Sequence, residues 1–181
     1  MIAVTLLFIL SSCISGKKWE SAKVLYSDNT EKEIYVYPSK YSYYNFIKAK
    51  EDLNDRKYFL FPENIKSIEG KNFKYIQLFF DEENYGMESY SFGQYLAGNE
   101  VIIAKTKFRE KTCACKTSGV FFKGYFIISG DESLRIRIDK NYNIKDPFKV
   151  YDFFENYSET GLPKDIETIN DLISYLKNIN N

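Results

Sequence analysis

Between residues 20 and 140 the chain consists of short runs in which apolar and polar residues alternate, or in which Val, Ile, Tyr and Phe crowd together. Both patterns belong to strands. Lys23-Val24-Leu25-Tyr26 and Glu33-Ile34-Tyr35-Val36-Tyr37 flank the turn cluster Ser27-Asp28-Asn29-Thr30, which predicts a hairpin. Pro38 cannot donate to a ladder, so it ends the second strand or marks it as an edge. Tyr44 to Lys50 fits two patterns. It can start a short helix through Asp55, or residues 45–50 can pair with 57–61 across the polar turn Glu51 to Arg56, the reading adopted here. Phe61-Pro62-Glu63-Asn64-Ile65 forms a corner, Ile65 to Ile68 is extended, and Gly70 breaks the run. Phe73 to Phe80 is rich in strand formers and precedes the charged turn Asp81 to Gly86. Ser89 to Leu96 fits a strand, or one to two helical turns closed by Gly98. Val101–Phe108, Val120–Ile128 and Leu134–Ile138 predict strands, the last two joined by the tight-turn sequence Ser129-Gly130-Asp131-Glu132.

After residue 140 the period changes. Asp146-Pro147 places a helix-capping residue before a proline at the first helical position, and Phe148, Val150, Tyr151, Phe153 and Phe154 follow. The last segment sets Ile166, Ile169, Leu172, Ile173, Leu176 and Ile179 at mostly three- and four-residue steps, an amphipathic helix. Helices are therefore expected at about 147–157 and 165–179. Strands followed by helices predict an α+β fold: a mainly antiparallel β-sheet or partial barrel, then two C-terminal helices, in one domain over residues 19–181.

Composition changes this picture in two places. Among 181 residues there are 16 Tyr and 15 Phe, which reinforces the strands and supplies a core rich in rings. There is no histidine, so Ser-His-Asp and Cys-His catalysis and every His-containing zinc site are excluded. With 25 basic against 25 acidic residues, the overall balance gives nucleic-acid binding no support.

The amino terminus carries an address. Ile2 to Leu10 is apolar but far too short to span a bilayer as a helix, and has the length of a signal-peptide core. Leu10-Ser11-Ser12-Cys13 then resembles the lipobox of bacterial lipoproteins, although no Lys or Arg precedes the apolar run. That resemblance implies a signal peptide over 1–12, diacylglycerol on the Cys13 thiol, acylation of the new amino group and a tether over 13–18. Two or more acyl chains make a stable anchor. The expected location is the bacterial cell envelope, on a periplasmic or surface face. The mature chain also loosely resembles envelope proteins of Bacteroidota over about residues 20–140. The likeness lies in the early hairpin, the Phe61-Pro62-Glu63-Asn64-Ile65 corner and the element Phe92-Gly93-Gln94-Tyr95-Leu96-Ala97-Gly98. Both later motifs are one residue shorter than the pattern, and the group implies no chemistry.

Three constellations could carry chemistry. Cys113-Ala114-Cys115 could form a disulfide in an oxidising compartment. Its sharper reading is a thiol redox or copper-handling site, and its plainer one a loop staple. Lys105, Lys107, Arg109 and Lys111 fall at alternate positions, as do Arg135 and Arg137. Were the two sets on one sheet face, they would make a basic comb for anionic lipid or acidic glycan. The plainer reading is a solvated sheet face. The acidic turns Asp81-Glu82-Glu83 and Asp131-Glu132 would serve a glycan hydrolase only if carboxylates converged in space. The expectation is a membrane-anchored envelope protein with a binding or structural role. No catalytic residue, metal ligand or cofactor is assigned, and the membrane is its one firm partner.

Overall fold

The computed structural model describes residues 19–38, 46–80, 89–110, 120–130 and 132–179; at positions 89, 107–110 and 120–123 it describes the backbone alone. The strands are β1 (Glu20–Tyr26), β2 (Glu31–Val36), β3 (Ile47–Lys50), β4 (Tyr58–Leu60), β5 (Ile65–Gly70), β6 (Lys74–Phe80), β7 (Ser89–Ala97), β8 (Ile102–Glu110), β9 (Val120–Ser129) and β10 (Glu132–Ile136). Two helices follow, α1 (Pro147–Tyr157) and α2 (Ile169–Asn178). The α+β class read from the sequence is the observed one.

All ten strands form one antiparallel sheet in the order β10-β9-β8-β7-β6-β5-β1-β2-β3-β4. Every step along the chain joins neighbours except β4 to β5. In a flat sheet those two strands would lie four inter-strand steps apart, about 19 Å. Only Phe61 to Asn64 connects them, and Pro62–Asn64 is wound into a 3-10 turn. A stretch that short cannot cross a flat sheet, so the sheet curls into a half-barrel that brings β4 round toward the start of β5. Gln77 anchors the crossover by donating from Nε2 to the Pro62 carbonyl at 2.5 Å.

Cross-strand partners share a face, and one register row traverses eight strands: Lys32, Val24, Ile68, Tyr75, Gln94, Lys105, Tyr125 and Ile136. This face carries two cores. Over β1–β5, Val24, Ile34, Val36, Ile47 and Ile68 are buried together, joined by Tyr75 from β6 and Phe92 from β7. Over β7–β10 the helices cover it, with Phe154, Ile169, Leu172 and Leu176 packed against Ile103, Ile127 and Ile136. The opposite face of β6–β9 buries a third cluster of Ile76, Leu78, Phe80, Ala104 and Phe126. Phe80 and Phe126 meet at 5.3 Å although β7 and β8 lie between their strands. Thr106, buried there, donates to the Phe92 carbonyl at 2.8 Å.

Local chemistry explains the boundaries. Residues 89–97 are strand, paired on both sides, and Gly98 ends them at φ +107°. A Cβ there would fall 2.0 Å from the Val101 carbonyl oxygen, so glycine is required. Helix α2 begins at Ile169, later than the apolar spacing from Ile166 indicated. Thr168 and Asp171 form a reciprocal capping box that fixes the start. Asp146 occupies the cap position of α1, but its side chain makes no capping bond. Among the described residues no helix is long and apolar enough to cross a membrane.

Candidate functional site

Of the residues singled out in the sequence, Cys13, Asp81, Glu82, Glu83, Lys111, Cys113, Cys115 and Asp131 lie outside the described residues. Lys107 and Arg109 belong to β8, opposite Lys123 and Phe121, and their side chains also lie outside the description. Lys105 is partly buried on the helix-covered face, with its Nζ 5.2 Å from the centroid of the Tyr125 ring. Arg135 pairs with Phe126, and Phe126 with Ala104. It therefore stands on the opposite face from Lys105. A comb combining β8 and β10 does not form, because the register aligns Lys105 with Ile136 rather than with an arginine. Arg137 lies beyond the last residue of β10, exposed, and its carbonyl accepts from the Lys145 N–H at 2.9 Å.

Several acidic side chains fasten turns. Asp28 accepts from the Thr30 N–H at 2.9 Å and the Thr30 hydroxyl at 2.6 Å, closing the β1–β2 turn. Asp139 accepts from the backbone N–H groups of Asn141 and Asn143 and from the Asn143 amide at 2.8–3.0 Å. Asp171 completes the α2 cap. These hydrogen bonds stabilise the ionised form and hold all three carboxyls below the usual carboxylate range. Among the described residues no three His, Cys, Asp or Glu side chains gather as a metal set. An open depression of about 470 Å³ between β1, β2 and the end of β5 is lined by charges of both signs, and the Lys23–Glu31 ion pair at 2.5 Å lies within it.

At the rim of the β1–β5 half, three titratable groups do converge. Lys32 Nζ lies 2.6 Å from Glu51 Oε2, and the Tyr58 hydroxyl donates to Glu51 Oε1 at 2.9 Å. The Lys32 ammonium, then Tyr58, hold the Glu51 carboxyl below its ordinary value. Glu51 in turn raises Lys32. Burial, and after it the bond to Glu51, pushes the Tyr58 phenol up. With its carboxylate held by an ammonium and a phenol, Glu51 is a clasp between β2 and the β3–β4 hairpin.

The outer surface of the same hairpin differs in kind. Ile47, Ala49 and Leu60 point inward and are buried. By alternation Phe46, Lys48 and Lys50 point outward on one arm, and Phe59 and Phe61 on the other. Phe46, Phe59 and Phe61 are 42%, 44% and 50% exposed. The Phe46 ring lies 4.9 Å from Phe59 and 6.4 Å from Phe61. Tyr37 continues this surface by donating its N–H to the Lys48 carbonyl, and its ring meets Trp19 at 5.5 Å. Lys50 Nζ lies 5.1 Å from the centroid of Trp19. No carboxylate occupies these outward positions. The adjacent apolar pair Phe46-Ile47 was the one sequence signal for this patch, since a strand must turn one of the two outward.

Comparison with known protein families, curated proteins and solved structures returns no match.

Proposed function

We propose that this chain is a bacterial cell-envelope lipoprotein, held at a membrane by acyl chains on Cys13 and acting through binding or structure rather than catalysis. The observation that carries the reading is the apolar run Ile2 to Leu10 ending at Leu10-Ser11-Ser12-Cys13. The sequence that follows, Ile14-Ser15-Gly16-Lys17-Lys18, supports it with the small and charged residues of a short tether. The roles of four described carboxylates support the non-catalytic part. Asp28, Asp139 and Asp171 hold turns and a cap, and Glu51 holds a strand junction.

Intact-mass measurement of the protein purified from its native host tests this directly. The expected species has lost residues 1–12 and gained diacylglycerol and amide-linked acyl mass on Cys13. A product that keeps its first twelve residues and carries no lipid overturns the reading. The same spectrum reads whether Cys113 and Cys115 are joined.

A further inference from the structure

We propose that the outer face of the β3–β4 hairpin, extended by Trp19 and Tyr37, is a docking surface for the interfacial layer of an anionic bilayer. Three phenylalanines, Phe46 beside both Phe59 and Phe61 and all between 42% and 50% exposed, make an apolar patch that the fold leaves facing solvent. Tyr and Trp, here Tyr37 and Trp19, favour the membrane–water boundary, where one side is apolar and the other wet, and Phe rings bury on the acyl side of it. Lys48 and Lys50 share the face, and long lysine stems lie along apolar surface while their ammonium groups reach headgroup phosphates. The acidic residue nearest in sequence to Lys50 is Glu51, and its carboxylate is taken up by Lys32 and Tyr58. Positions 46, 48, 50, 59 and 61 thus carry rings and lysines and no carboxylate, with Lys50 Nζ also donating to the Leu53 carbonyl at 2.7 Å, a complement to phosphate over hydrocarbon.

The tether argues for the same occupant. Five residues lie between Cys13 and Trp19, a reach of no more than about 22 Å, and Trp19 already belongs to this surface. This clause rests on acylation of Cys13; the character of the patch does not.

Two probes decide it, both in the full chain with Cys13→Ser and Trp19→Phe, so that no acyl group and no other tryptophan is present. One carries Phe59→Trp in the patch. The other carries Phe148→Trp on α1, at a position that is 85% exposed and outside the patch. Each is mixed with vesicles of phosphatidylcholine and phosphatidylglycerol bearing brominated acyl chains. Quenching at position 59 well above that at position 148 is expected. Equal or weaker quenching at 59 overturns the proposal, whatever the state of Cys13 in the native product, which intact mass decides separately. Because the apolar run Ile2 to Leu10 joins the domain beside the patch, both chains also carry Leu7→Asn and Ile9→Asn, so that this run does not itself bring position 59 to the bilayer. As a second reading, Phe46→Ser with Phe59→Ser and Phe61→Ser is expected to lower vesicle partition about tenfold or more. Unchanged partition of this variant, with circular dichroism showing it folded, overturns the proposal.

Discussion

The two halves of the sheet solve the same burial problem differently. Strands β1–β5 bury one face by curling on themselves, with Ile34, Ile47 and Ile68 inside and no residue of α1 or α2 in that core. Strands β6–β9 bury apolar side chains on both faces. Alternate residues of β8 enter different cores, Ile103 under the helices and Ala104 beside Phe126. The comparison teaches where a surface is free to act. The outward positions of β3 and β4 carry exposed rings and lysines, while Ile103 on one face of β8 and Ala104 and Thr106 on the other are committed to packing.

The sharpest way to break this comparison is at a residue that belongs to both halves. Phe92 lies on β7 but is fully buried in the β1–β5 core beside Tyr75. Phe92→Ala is expected to cost roughly 3–5 kcal/mol through lost contacts and a cavity. Urea unfolding followed by fluorescence and by circular dichroism should still give one coincident transition. Separate transitions would mean the halves fold independently. A smaller effect sharpens the contrast from the helical side. Thr168→Ala removes the α2 capping box and is expected to cost about 1 kcal/mol. Hydrogen exchange should accelerate in α2 and leave β1–β4 protected.

The smallest expected effect lies at the β1–β5 rim. Glu51 titrates below its unfolded value, so its contribution is complete above that value and is lost as pH falls through the folded one. Lys32 and Tyr58 are raised, so theirs is present at neutral pH and is lost as alkali titrates them. Glu51→Gln should lower stability by less than about 1 kcal/mol near neutrality, as expected of a solvent-exposed pair. Thermal melts across pH should show the wild-type advantage shrinking at both extremes. A constant difference from acid to alkali would remove the clasp from the account.

Most of the elements were legible because their alternation is local. The hairpin of β3 and β4 follows from two apolar runs around a polar turn, and β8, β9 and β10 from their β-branched and aromatic content. Neighbour relations were not legible. Nothing local says that β5 returns to lie beside β1, because that contact depends on the curl that Phe61 to Asn64 imposes. The alternation of Lys105 and of Arg135 was equally plain, yet their relative facing depends on the register through β9, which no single strand encodes. The aromatic patch was hidden for a related reason. Phe46 and Ile47 read as one apolar stretch until the pairing of Ile47 with Leu60 turns Phe46 outward.

The β4-to-β5 crossover also bears on how the chain is made. Strand β1 takes one partner almost at once, through the Asp28 turn, but its second edge waits for β5, which aligns Val24 with Ile68. During synthesis an unfinished polypeptide therefore offers a bare β1 margin to any neighbour of the same sequence, a template for mispairing between growing chains. Arrival of the segment after Asn64 seals that margin.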